Sequence, residues 1–287
     1  MTGGDAPSFL HALLTNDIAG LAPGDATYAA LLTPQGRMIS DMDVFRAAGT
    51  GTPAVLLSVP AGLAARLAAR LDSSIFTEDV TVEDVSESTV QFGVVGPGAQ
   101  AAIDAALNAM AESDIVAWKN DALGAVESFE LVAPVEETEG LAARLALNAV
   151  PLTADARKTL RVEAGRPEFH VDMTEDTIPL EANLLERAIS TTKGCYVGQE
   201  VIIRVLHRGG GRVAKRLVSL RFGAAAEVPH DGAALSEGDR EVGRVTSAVW
   251  SPRDGAAIGL GYVHRDFARE GVALTLPGGR AAIVTAV

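Results

Sequence analysis

Cysteine is nearly absent: Cys195 is the only one in 287 residues. A lone thiol cannot build a disulfide framework, and it cannot supply the four ligands an iron–sulfur cluster typically takes. The five histidines, His11, His170, His207, His230 and His264, show no metal-site spacing with one another or with Cys195. The expectation is therefore no self-contained metal site. Aromatics make up only 5% of the chain, and just three are tyrosines, Tyr28, Tyr196 and Tyr262, which excludes a tyrosine-rich pocket. No apolar run approaches the ~20 residues needed to span a bilayer, and MTGGDAPSFLHALL has no basic leader. These absences lead to an expected cytoplasmic location with no membrane partner.

Acidic side chains are missing from one stretch of an otherwise acidic protein. The formal charge is −13, yet residues 204–221 hold Arg204, Arg208, Arg212, Lys215, Arg216 and Arg221 with no Asp or Glu. Residues 1–150 carry 20 acids against 6 Lys/Arg, and residues 151–287 carry 17 against 18. A basic band in an acidic chain suggests an anionic ligand or partner, or else a solvated loop and edge strand whose charges discourage aggregation. Direct nucleic-acid binding is not expected, because the whole chain would repel phosphate.

Periodicity and turn residues divide the chain into elements. Residues 7–14 read as a helix, and 27–33 and 37–46 as strands joined at Pro34-Gln35-Gly36. Period two puts Ile39, Asp41, Asp43 and Phe45 on one face, which suggests either an edge strand with a wet face or a polar group aimed into a cleft. Residues 53–59 read as a strand and 60–71 as an amphipathic helix, followed by strands near 79–85 and 89–95 and a helix at 99–110. Strands near 114–119 and 125–132 and a helix at 136–148 complete this part. Thr153 is a plausible N-cap for a helix to about 164. A short helix is expected to begin at Pro179-Leu180-Glu181, and another runs over 198–206. Gly209-Gly210-Gly211 reads as a flexible joint. Five strands then follow, at 213–222, 241–250, 256–263, 272–276 and 281–286, as a small all-β module, a barrel.

The chemistry concentrates in Lys193-Gly194-Cys195-Tyr196-Val197-Gly198-Gln199-Glu200. Flanking glycines leave the thiol reachable, and nearby positive charge would favour the thiolate. Judged by position alone, a lone cysteine is more often a small buried hydrophobe. A Cys195–His207 nucleophile–base pair would lack any accompanying oxyanion-hole motif.

KGCYVGQE resembles the hallmark motif of the YgfZ-type folate-binding proteins, relatives of the glycine-cleavage aminomethyltransferase (T-protein). LLTPQGRMISDMDVF (31–45) and GRVTSAVWSPRDGAAIGLGYV (243–263) extend the similarity, as do residues 9–18 and 161–221. The resemblance implies an α+β, three-lobed fold with two mixed α/β lobes and a C-terminal β-barrel. The implied lobes are 1–50 plus 151–210, which carry the octapeptide, then 51–150 and 212–287. It also implies a tetrahydrofolate or one-carbon folate site. By analogy Asp176 and its neighbour Glu175 meet the pterin, because a carboxylate accepts two N–H bonds side by side. Phe169 supplies a stacking face, and Arg204 meets the folate's glutamate tail. Tyr196, Gln199 and Glu200 complete the lining and fix the loop. Cys195 is the reactive group, with Lys193 tuning its thiol. Ser40-Asp41 stands where the aminomethyltransferases carry paired aspartates, so only Asp41 keeps that hairpin's catalytic carboxylate. The implied role is a folate-dependent accessory protein for iron–sulfur cluster assembly or repair, serving client enzymes such as tRNA modifiers. The rival is a folate-dependent one-carbon enzyme, an aminomethyltransferase or demethylase.

Overall fold

The computed structural model describes residues 1–49, 51–110, 114–124, 126–207, 210–223 and 227–286. Arg208 and Gly209, of the basic band and the expected joint, lie outside the described residues. The helices are α1 (Ala6–Leu13), α2 (Ala64–Asp72), α3 (Ala99–Asn108), α4 (Thr138–Leu145), α5 (Ala154–Glu163), α6 (Leu185–Ala188) and α7 (Gln199–His207). The first six strands are β1 (Ala26–Leu32), β2 (Met38–Arg46), β3 (Val55–Ser58), β4 (Thr89–Val95), β5 (Val116–Asn120) and β6 (Ser128–Pro134). The last six are β7 (Lys215–Phe222), β8 (Ala234–Glu237), β9 (Arg240–Ser251), β10 (Ala256–His264), β11 (Ala273–Thr275) and β12 (Ala281–Ala286). This is the expected α+β architecture of mixed lobes and a C-terminal β-barrel. No described helix is long and apolar enough to cross a membrane.

The chain divides into two compact units. Unit 1 comprises 1–31, 40–152 and 188–196, and unit 2 comprises 32–39, 153–187 and 197–287. In unit 1, α1 begins with proline in its first turn and buries Ala6, Phe9 and Leu10 along one stripe. A second sheet, ordered β4-β6-β5, packs Val94, Phe129 and Leu131 against Ile103 and Ala106 of α3 and Leu141 and Leu145 of α4.

Unit 2 is built around a closed barrel in the order β10-β7-β12-β11-β8-β9. Alternation along β7 turns Val218, Leu220 and Phe222 into its core with Leu235, Val245, Val263, Leu274 and Val284. The other face carries Leu217, Val249, Ile258 and Leu260, which pack with Val162 of α5. Thr153 caps α5, its side chain accepting from the Ala156 N–H at 3.2 Å. One ionic network joins this helix to β9. The buried Arg161 donates to Asp172 at 2.5 Å and to Ser247 Oγ at 2.9 Å. Asp172 also accepts from Thr246 Oγ1 at 2.5 Å, Ser247 Oγ at 2.8 Å and the Glu168 N–H at 3.0 Å.

Several expectations are corrected. The sheet order β1-β2-β3 makes β2 its central strand, buried on both faces, so the wet edge strand is excluded. No strand forms over 79–85, where Thr81 bridges Thr2 alone. Asp79, Glu83 and Asp84 crowd that segment, and Asp84 turns back on Ser86 instead. Residues 179–183 form turns rather than helix, because Asn183 adopts φ 58° and donates to the Leu217 carbonyl at 2.7 Å. Strand β8, only four residues long, was not foreseen among the turn residues around it.

Candidate functional site

In unit 1, the segment leading to Cys195 is stitched to the end of α1. Thr15 Oγ1 donates to the Ala188 carbonyl at 2.6 Å, and the Ser190 N–H donates to the Thr15 carbonyl at 3.1 Å. Ser190 Oγ accepts from the Lys193 N–H at 3.2 Å. The Lys193 ammonium then donates to three main-chain carbonyls, those of His11, of Leu14 at 2.6 Å and of Asn16 at 3.0 Å. These belong to or follow the last turn of α1, where unpaired carbonyls gather partial negative charge. Burial lowers the Lys193 pKa to about 8, opposed by the Asp17 carboxylate. The group still carries its charge at neutral pH, as its three acceptors require.

This geometry gives Lys193 a definite job. Its three ammonium donors go to carbonyls, so it anchors the loop that carries Cys195. Tyr196 is buried, with Lys193 Nζ 5.2 Å from its ring centroid, and burial pushes its phenol up to about 12. Cys195 itself is exposed, so the buried-hydrophobe alternative is excluded. Elsewhere in unit 1, Asp41 is 7% exposed and accepts from the Tyr28 hydroxyl at 2.5 Å. That places a buried carboxylate with a directed donor on the central strand.

In unit 2, the second half of the octapeptide starts α7. Gly198 sits at φ 84°, and a Cβ there would lie 2.6 Å from the Thr33 carbonyl and 3.2 Å from Gly36. Only glycine lets the turn of residues 33–36 come this close. Gln199 and Glu200 are the first residues of α7, where a carboxylate meets the positive end of the helix. Arg204 is exposed on the same helix and does not line the cavity described next.

That cavity, of about 700 Å³, is lined by the 176–181 loop, Arg37, Ala214, Lys215 at the start of β7, residues 240–244 and Thr246 of β9, and residues 262–264 of β10. Asp176 reaches it in an exposed ion pair with Arg37 at 3.0 Å. Glu175 instead stands 3.3 Å from His170 Nε2. Phe169 is 4% exposed, its ring 4.5 Å from that of His170, which leaves its face covered rather than free for stacking. Glu181 is buried on the cavity wall, and burial raises its pKa against the pull of Lys215, the Ile178 N–H and Arg37. Lys215 lies over the Tyr262 ring, 4.8 Å from its centroid. Arg240 and Arg244 complete a cationic rim, with Arg244 paired to Glu241 at 3.2 Å.

Sequence reasoning missed Arg37, Lys215 and Tyr262 as lining residues, and it gave Glu181 only as part of an expected helix start. One signal was present: Tyr262 and His264 sit two residues apart on β10, and both line the cavity. The basic band disperses, since Lys215 enters the cavity while Arg216 and Arg221 donate to the carbonyls of Gly211 and Asp254. Among the described residues no group of three or more His, Cys, Asp or Glu could hold a metal ion.

Two family models match, the GCVT N-terminal domain over residues 1–128 and the glycine cleavage T-protein C-terminal barrel domain over residues 215–286. An aminomethyltransferase of Rippkaea orientalis is 30% identical over 92% of this chain and 75% of its own length. One from Bacillus subtilis is 25% identical over 94% of this chain and 78% of its own length. The crystal structure of glycine cleavage system aminomethyltransferase T from Bartonella henselae superposes with a TM-score of 0.87, at 24% identity, over 100% of this chain and 81% of that one. That likeness establishes the fold, and the sequence relatives establish the lineage. The chain belongs to the aminomethyltransferase family.

Proposed function

We propose that this protein binds a reduced folate and works in one-carbon transfer, the activity class its relatives are named for. The observation that carries the reading is Asp41, a buried carboxylate held by Tyr28 on the central strand of the first hairpin. It occupies the place where the family resemblance puts a catalytic aspartate. The unit 2 cavity fits the size range of small-molecule sites, roughly 300–1,000 Å³. It offers carboxylates for a donor edge and cations for an acidic tail, with Asp176, Glu181, Arg37 and Lys215 as the proposed contacts. Tetrahydrofolate, when bound, supplies nitrogens that accept a one-carbon unit. Asp41 is the proposed proton acceptor or donor of that transfer, and the Tyr28 hydroxyl orients its carboxylate. The proposed lobes remain 1–50 plus 151–210, 51–150 and 212–287.

Calorimetry with tetrahydrofolate tests the binding claim, and absence of heat at physiological folate concentration would overturn it. Turnover tests Asp41: Asp41→Asn is expected to lower kcat about 100-fold with folate affinity kept within about threefold, in the range of a lost general acid–base. Unchanged kcat removes Asp41 from the mechanism.

A second reading is favoured by one observation, the exposed Cys195 within KGCYVGQE. In it the bound folate and the Cys195 thiol act on the iron–sulfur cluster of a client protein, such as a tRNA-modifying enzyme. Lys193, Gln199 and Glu200 then hold the thiol's loop in place. A deletion strain complemented by Cys195→Ser decides it: restored cluster-enzyme activity would sink the accessory role.

A further inference from the structure

Tyr262 is the odd residue of the unit 2 cavity. Its hydroxyl is buried and makes no hydrogen bond among the described residues. Buried polar atoms are normally paired, and an orphan in a native structure calls for an explanation. Burial pushes the phenol up, the Thr177 side chain beside the hydroxyl opposes this in part, and the carboxylates of Glu181 and Asp172 add to it, so it stays a donor at neutral pH. The ring is pinned: Leu217 and Arg244 are its cross-strand neighbours, and Lys215 covers one face. The hydroxyl therefore cannot swing out to water without breaking that packing. Tyr262 lines the same cavity as Glu181, whose side chain is buried and whose one side-chain hydrogen bond among the described residues is a long one, 3.4 Å from the Ile178 N–H.

A phenol donor and a carboxylate acceptor on one cavity wall form a matched reader for an edge that offers a carbonyl oxygen beside an N–H. That edge is the lactam of a fused or simple nitrogen heterocycle. We propose that Tyr262 and Glu181 together bind the lactam edge of the ligand, with Tyr262 donating to its carbonyl oxygen and Glu181 accepting from its N–H. This assigns a barrel residue to recognition of the heterocycle, and it makes Asp176 with Arg37 a rim contact. The proposal deepens the folate reading, on which the choice of probes rests.

The test compares wild type, Tyr262→Phe and Glu181→Gln with three probes: tetrahydrofolate, 6-hydroxymethylpterin and p-aminobenzoylglutamate. Phenylalanine keeps the ring and removes only the orphan hydroxyl. The expected result is a ligand-free Tm that is unchanged or higher, because among the described residues the hydroxyl has only the Thr177 side chain beside it and completes no hydrogen bond of good geometry. Affinity for tetrahydrofolate and 6-hydroxymethylpterin should fall about tenfold, the scale of one lost hydrogen bond. Affinity for p-aminobenzoylglutamate should not change. Glu181→Gln should weaken the same two probes and spare the third. A lower ligand-free Tm with unchanged binding would make the hydroxyl structural and overturn the proposal. Tetrahydrofolate binding that ignores both substitutions overturns it too, while leaving the folate reading standing. Binding of 6-hydroxymethylpterin that depends on Tyr262, without tetrahydrofolate binding, keeps the lactam reader and removes the folate. If no probe binds wild type, both fall.

Discussion

In unit 1 the half-buried cation of Lys193 ends on three carbonyls, whereas in unit 2 the buried hydroxyl of Tyr262 ends on none. Both groups sit where their desolvation is costly, and only the first is compensated within the protein. Unit 2 is not careless with buried polarity in general. Its Arg161–Asp172 pair is enclosed by Ser247, Thr246 and the Glu168 N–H, Asp172 accepts four hydrogen bonds, and Arg161 Nε, which completes no hydrogen bond of good geometry, still stands 3.1 Å from the Glu168 carboxylate. The contrast separates groups that hold the fold from a group left available to a ligand. Lys193 belongs to the first kind although it sits two residues from the exposed thiol.

The comparison can be broken at three points. Asp172→Ala removes one of the two carboxylates that meet the buried Arg161 guanidinium, leaving Glu168 at 3.1 Å, and should cost about 3 kcal/mol, the low end for a broken buried pair, read as a drop in urea midpoint. A loss under about 1 kcal/mol would mean that the network is not the clamp between α5 and β9.

Lys193→Met leaves three carbonyls at the end of α1 without their donor and should cost about 2 kcal/mol, the scale of hydrogen bonds to a charged group. The pH dependence has a fixed sign. Burial sets the folded pKa at about 8, below the ordinary 10.5, so between those values the unfolded chain binds more protons. Wild-type stability should therefore rise relative to Lys193→Met as pH climbs through that window, measured as paired urea midpoints at the two ends. A flat difference would show that the three carbonyls fully offset the burial of the ammonium.

Arg204→Ala is the smallest effect. An exposed helix position away from the cavity should shift stability by no more than about 0.5 kcal/mol and leave folate affinity unchanged. A several-fold loss of tetrahydrofolate affinity would return Arg204 to the ligand tail.

The strands and helices were legible wherever periodicity was sustained, as in α5 and in the alternation of β7 and β10. Short elements among turn residues were not, and β8 is the example. The octapeptide was legible as a special stretch because its glycines and lone thiol are visible in one dimension. What Lys193 does was not, because its acceptors are main-chain carbonyls near residue 14, which have no sequence signature. The cavity was half legible. Asp176 was placed by analogy with the family, while Tyr262 needed the barrel's closure to bring β10 beside the 176–181 loop. Phe169 shows the limit of analogy: residue type suggested a stacking face, and packing on His170 covers it.

The Lys193 clasp also has a consequence for synthesis. The ammonium bonds carbonyls 177 to 182 positions earlier in the chain. At roughly 5–20 residues per second, the end of α1 waits about 9–36 s on the ribosome before its cap is made. During that interval the amino-terminal helix has its apolar stripe and the bonds of Thr15 and Asn16 to β1 to hold it, and a pause in translation just before codon 193 would lengthen its exposure to chaperones and proteases.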